Sequence, residues 1–266
     1  MLLVLEVSIM PQRSLILTVL ISFIFLMFFS ACQTRVVQIP PPDKLLYDQG
    51  FSGFSDIDIE SEQQVFQLDE NAKAFVESTI GPLHNKIDQM EALVKAIFDR
   101  SDLNLLYQGD ANTTASDTFQ SQAANCLSMS IMTYALATEA GFEVDFQEIV
   151  IPEYWTRRAG FSLLNGHINL KMLAPKQVHV IEFNRPSYQV DFDPQSSRRG
   201  LPKKVVSKQA VLSMFYNNKG ADAVLQKDYV TAYAYFREAI QINPNFHSAW
   251  INLGIVYRLS EYFPQA

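Results

Sequence analysis

Two cysteines, Cys32 and Cys126, are the only thiols in the chain. They make no disulfide framework and no zinc site built on several thiolates, so each needs its own account. Cys126 follows Asn125, a good helix N-cap, and opens a run of apolar residues. A thiol in the first turn of a helix sits beside free backbone N–H groups and the positive end of the helix dipole. Both stabilise a thiolate, and the same N–H groups can hold an oxyanion. Nucleophilic thiol chemistry also needs a general base and a group that orients the base. His167 is the candidate base, and Asp191 and Asp193 are candidate orienters. Gln120 and Gln122, just upstream of Cys126, are candidate side-chain donors to an oxyanion. A lone cysteine in an apolar helix is usually a small buried hydrophobe, so the case rests on the three residue types together. His179 is a rival base flanked by Val178 and Val180, while His84 and His247 read as structural or solvated.

These residues need elements to position them. Leu68, Ala72, Phe75, Val76 and Ile80 recur at helical spacing and predict a helix stopped by Gly81-Pro82. Met90, Leu93, Val94, Ile97 and Phe98 predict a second amphipathic helix. The polar stretch Gln108 to Gln122 reads as a loop. The segment from Cys126 to about Ala140 has no wide polar face, which predicts a buried helix ending at Gly141. Beyond it the period changes to strand, in Phe142–Phe146, His167–Met172, Val178–Phe183 and Tyr188–Phe192. On the second of these strands His167, Asn169 and Lys171 share a face; on the last, Asp191 and Asp193 do. Helices followed by strands indicate an α+β domain with a mainly antiparallel sheet, spanning residues 50–202.

At this point a family resemblance becomes specific. Asn125-Cys126-Leu-Ser-Met-Ser, continued by Tyr134 to Gly141, resembles the nucleophile helix of bacterial transglutaminase-like proteins. Gly166-His167-Ile-Asn-Leu resembles their histidine strand, and Val190-Asp191-Phe-Asp-Pro194 their aspartate strand. The resemblance implies a papain-like, transglutaminase-type fold with Cys126 as nucleophile, His167 as base and Asp191 as orienter. Many relatives have one Asp directly before a Pro, which here is Asp193, the alternative orienter. Asp191 is preferred because it follows apolar Val190, deeper in the strand pattern. The implied reaction is acyl transfer through a thioester, resolved by water or by an amine, with no metal or organic cofactor.

Residues 1–31 read as a lipoprotein signal peptide. Arg13 precedes an apolar run from Leu15 to Phe29, and Phe29-Ser30-Ala31-Cys32 resembles the bacterial lipobox, which implies lipidation of Cys32. Met10 gives a cleaner start than Met1. The competing reading, a membrane span over Ser14 to Ala31, does not call for small residues and a cysteine at its end. Gln33, where an Asp commonly favours inner-membrane retention, leans towards the outer membrane facing the periplasm. Residues 32–49, with Pro40-Pro41-Pro42, read as a tether.

Residues 207–266 carry a 34-residue self-similarity, the tetratricopeptide period. Gly220, Ala232, Phe236, Ala239 and Pro244 fall on the small and aromatic positions of one repeat, and Trp250 matches Tyr216 in the next. The second repeat is expected to be incomplete, because Ala266 aligns with Ala232 early in a second helix. Such helices imply a protein or peptide partner, or a brace for the preceding domain. The net charge of −7, with no basic stripe, argues against nucleic acid. Arg157-Arg158, Arg198-Arg199 and Lys203-Lys204 read as solvated loop charges. The alternative to an enzyme is a non-catalytic adaptor that binds protein through both regions.

Overall fold

A computed structural model describes residues 44–98, 103–158, 160–175, 185–192 and 200–266. All belong to the second of two units in the chain, Pro42–Ala266. The expected signal segment with Cys32, most of the tether, the strand expected at Val178–Phe183 with His179, the Arg198-Arg199 pair, and Asp193 lie outside the described residues.

Among the described residues, five α-helices precede the main sheet. Helix α1 (Glu62–Phe66) opens with a capping box, in which Ser61 Oγ accepts from the Gln64 N–H and Gln64 Oε1 from the Ser61 N–H. Helix α2 (Glu70–Ile80) is capped by Asp69, which accepts from the Ala72 N–H at 2.8 Å, and helix α3 (Lys86–Phe98) follows a short turn. Helix α4 (Ala115–Ser121) corrects the loop expected over Gln108 to Gln122. Thr114 caps it, and Ala115 and Thr118 are buried. Its composition hid it, since a two-turn helix with one narrow buried stripe leaves mostly polar residues to read.

Helix α5 (Cys126–Glu139) is the central element, buried on nearly every side as its residues predict. It ends where Gly141, at φ 79, takes the left-handed conformation and Phe142 N–H reaches back to the Ala137 carbonyl at 3.0 Å. Ile131, Met132 and Leu136 are fully enclosed, each contributing roughly 1.5–3 kcal/mol of burial. Tyr134 stacks on Phe146 of the sheet at 4.6 Å and meets Phe66 of α1 edge-on.

The main sheet is wholly antiparallel, with strand order β5-β4-β3-β6. Its members are β3 (Glu143–Arg158), β4 (Phe161–Leu173), β5 (Ser187–Val190) and β6 (Lys203–Val206). Two short parallel strands, β1 (Leu106–Tyr107) and β2 (Ala123–Ala124), hold the segment that leads into α5. The basic pairs differ from expectation. Lys203 and Lys204 stand exposed on β6, an edge strand, where lysines discourage pairing with another chain. Arg158, at the end of β3, forms an ion pair with Asp222.

The C-terminal region is helical: α6 (Lys208–Leu225), α7 (Tyr229–Ile242) and α8 (His247–Leu259). Gly220 lies against the Phe236 ring so closely that a Cβ there would come within 2.7 Å of it. The first described residues pack on these helices. Phe51 stacks on Tyr233 at 4.2 Å and meets Tyr257 and Tyr262. Tyr47 N–H donates to Tyr257 Oη, and Tyr262 Oη donates to the Gly50 carbonyl. Asp48 holds Tyr233 and Arg237, and Glu60 holds Tyr235 and Lys219.

Candidate functional site

Cys126 is a free thiol and the first residue of α5. Asn125 caps the helix in an extended conformation, its Oδ1 accepting from the Ser128 N–H at 2.9 Å. The helical ladder begins with the Met129 N–H bonded to the Asn125 carbonyl at 2.9 Å. The N–H groups of Cys126 and Leu127 precede these two, and a helix has no intrahelical partner for them. Unpaired N–H groups at a helix start beside a thiol are the kind of donors that can receive an oxyanion.

His167 reaches this point from β4. The pairing of β3 with β4 breaks beside it: Ile149 pairs with His167 and Tyr154 with Asn165, so residues 150–153 stand opposite Gly166 alone. Bulges of this kind sharpen twist and re-aim neighbouring side chains. His167 is buried, with Cys126 among the neighbours that act on its charge. Its Nε2 lies 2.7 Å from Asp191 Oδ1, with the two side chains only 5% and 6% exposed. With Nε2 committed to the carboxylate, Nδ1 is the nitrogen left for the thiol.

Asp191 follows β5 directly. The register Leu170↔Val190 brings the next residue opposite Asn169, which explains a partner that sequence reasoning left without a role. Asn169 Nδ2 donates to Asp191 Oδ2 at 3.2 Å, so the carboxylate is gripped by β4 through both oxygens. The two-residue alternation that put Asn169 on the face of His167 was the available signal.

The electrostatics favour a charged imidazole. Burial opposes its charge, but the hydrogen-bonded carboxylate of Asp191, with a further contribution from Cys126, outweighs that cost and raises His167 from its ordinary 6.5 to about 9. A protonated imidazole beside a cysteine is the partner a thiolate needs, and it is also a proton donor for a leaving group.

The other candidates are distributed differently. Gln120 Nε2 donates to Asp69 Oδ2 at 2.6 Å, tying α4 to the cap of α2 and leaving that amide engaged away from the oxyanion role expected of it. Gln122 is the left-handed residue at the end of α4, at φ 55, and its carbonyl accepts from the Leu106 N–H at 2.7 Å. His84 lies in the turn between α2 and α3, and His247 opens α8. Among the described residues, no helix is long and apolar enough to cross a membrane. Compared with protein-family models, with curated proteins and with solved structures, the chain matches none.

Proposed function

We propose that the chain is a thiol acyl-transfer enzyme whose α+β region is a papain-like domain of the transglutaminase kind. The observation that carries this reading is the buried His167–Asp191 pair, Nε2 to Oδ1 at 2.7 Å, beside the half-buried Cys126 that opens α5 and helps to raise the imidazole's proton affinity. Cys126 as thiolate attacks an amide or ester carbonyl, forming the S–C bond, while the Cys126 and Leu127 N–H groups receive the oxyanion. His167 then gives its proton to the departing amine or alcohol, and a thioester remains on Cys126. The neutral imidazole next takes a proton from water or from a second amine as its oxygen or nitrogen attacks the thioester carbonyl, and cleavage of the C–S bond releases acid or new amide and returns the Cys126 thiolate beside the protonated imidazole. No step calls for a metal or organic cofactor. Asp191 and Asn169 keep the ring from rotating while its charge changes.

The same reading takes Cys32 as lipidated, anchoring the chain in a bacterial cell envelope at the outer membrane facing the periplasm. The substrate would then be a protein, peptide or cell-wall amide. The C-terminal helices are read as tetratricopeptide units, a reading supported by the close Gly220–Phe236 packing that the small and aromatic positions call for. One surface of these helices holds residues 45–60 of the chain itself, which favours bracing as one of their tasks.

Alkylation of Cys126 by iodoacetamide at neutral pH, compared between the wild type and His167→Ala, tests the reading. Fast, His167-dependent labelling is expected. Slow labelling that ignores His167 would sink the enzyme and favour the adaptor.

A further inference from the structure

The cap of the nucleophile helix does not end at Asn125. Asn125 Oδ1 faces the Ser128 N–H, and its Nδ2 donates to Asn112 Oδ1 at 2.5 Å. Asn112 Nδ2 in turn donates to the Asp222 carboxylate, whose other oxygen accepts from Arg158. Asp222 stands on α6, 110 residues from Asn112 in sequence. A second link holds the same loop, the Thr113 N–H bonding to Ser128 Oγ at 2.9 Å.

The direction of these bonds matters more than their number. A side-chain amide offers an oxygen on one side and an N–H group on the other, and either way round fills the same space. At Asn125 only one way works, because the helix start presents N–H groups and needs an acceptor. Asn125 is itself buried, so water does not make up for a wrong choice. A carboxylate accepts and cannot donate. Asp222 therefore forces the Nδ2 of Asn112 towards itself, which turns the Oδ1 of Asn112 towards Asn125. That oxygen draws in the Nδ2 of Asn125 and leaves the Oδ1 of Asn125 for the helix. Arg158, a donor only, holds the carboxylate in place.

We propose that Asp222 is a positioning residue for Cys126: acting through Asn112 and Asn125, it fixes the hydrogen-bond polarity of the cap on the nucleophile helix and makes α6 part of the active-site machinery. The proposal rests on Cys126 being the nucleophile only for its catalytic consequence. The polarity relay itself has an independent readout.

The test uses the full chain and two measurements: hydrogen exchange of the Ser128 amide, and the pH profile of Cys126 alkylation by iodoacetamide. In Asp222→Ala, Ser128 exchange accelerates roughly tenfold, the effect of a lost cap, and the alkylation profile moves to higher pH. The reciprocal double variant, Asn112→Asp with Asp222→Asn, rebuilds every bond with the same polarity. Arg158 then donates to the new amide oxygen, the new amide donates to the new carboxylate, and Asn125 still donates to position 112. It returns both readouts to within about twofold of wild type, a coupling that two independent substitutions would not show. Should Asp222→Ala not fold, Asn112→Asp alone, which sets two carboxylates face to face, is compared with the double variant instead. Wild-type Ser128 exchange in Asp222→Ala, or a double variant as perturbed as the single ones, overturns the proposal. If His167→Ala leaves alkylation unchanged, the enzyme reading fails, while Ser128 exchange still judges the relay.

Discussion

Asp191 holds His167 with one carboxylate oxygen at 2.7 Å and Asn169 with the other at 3.2 Å, so the carboxylate that holds the imidazole is itself held by the strand that carries it. The same carboxylate holds the ring in place and, with Cys126, favours its charge. Replacing Asp191 with Asn keeps the shape and removes the charge. Titration of His167 followed by NMR is expected to fall from about 9 towards 6.5, and neutral-pH alkylation of Cys126 to slow by roughly a hundredfold. An unchanged His167 titration would mean that the carboxylate is not what holds the proton.

The same shift makes stability depend on pH. The folded His167 value lies above its ordinary 6.5, so the folded state binds the proton more tightly than the unfolded chain. The resulting stabilisation, on the order of 3 kcal/mol, is fully present below about pH 6.5 and is lost as pH rises through about 9. Thermal unfolding across that window should show a falling midpoint in the wild type and a flatter profile in His167→Ala.

At the acid end the sign reverses. Burial opposes ionisation of Asp48 and Glu60, but Arg237 and Tyr233 around the first, and Lys219 and Tyr235 around the second, hold both carboxyls below their ordinary values. Their contribution is present above the ordinary carboxylate range and is lost as pH falls through the lowered folded values. Limited proteolysis after residue 44 should therefore quicken in acid, and Arg237→Ala should move that onset to higher pH.

Phe51 is the apolar anchor of the same contact, 3% exposed and stacked on Tyr233. Phe51→Ala should cost about 3–5 kcal/mol, read by denaturant unfolding. A loss under about 1 kcal/mol would show that the segment rests on the helices without supporting them.

Gln120 separates two sources of oxyanion stabilisation. Its amide serves Asp69, so Gln120→Ala should leave Cys126 alkylation at the wild-type rate and cost about 1 kcal/mol of stability. A large loss of reactivity would return Gln120 to the reacting centre.

Periodicity made the buried helix that opens at Cys126, its Asn125 cap, the Gly141 stop and the strand bearing His167 readable from sequence, because each is a local pattern of period 3.6 or 2. Helix α4 was missed because its polar residues outnumber its buried ones, and β6 because two lysines dominate four residues. Asn112 and Asp222 gave no signal at all. Their meeting depends on α6 returning to the start of α5, a long-range packing result that no window of neighbouring residues contains.

Tyr47 finds its partner Tyr257 at a separation of 210 residues. Closures of that span come late, since loop entropy must be overcome before the contact returns anything. During synthesis the ring of Phe51 has nowhere to go until α7 and α8 exist, and an interrupted chain would carry it exposed. The segment precedes in sequence the helices that receive it, so it docks only after α7 and α8 have been made.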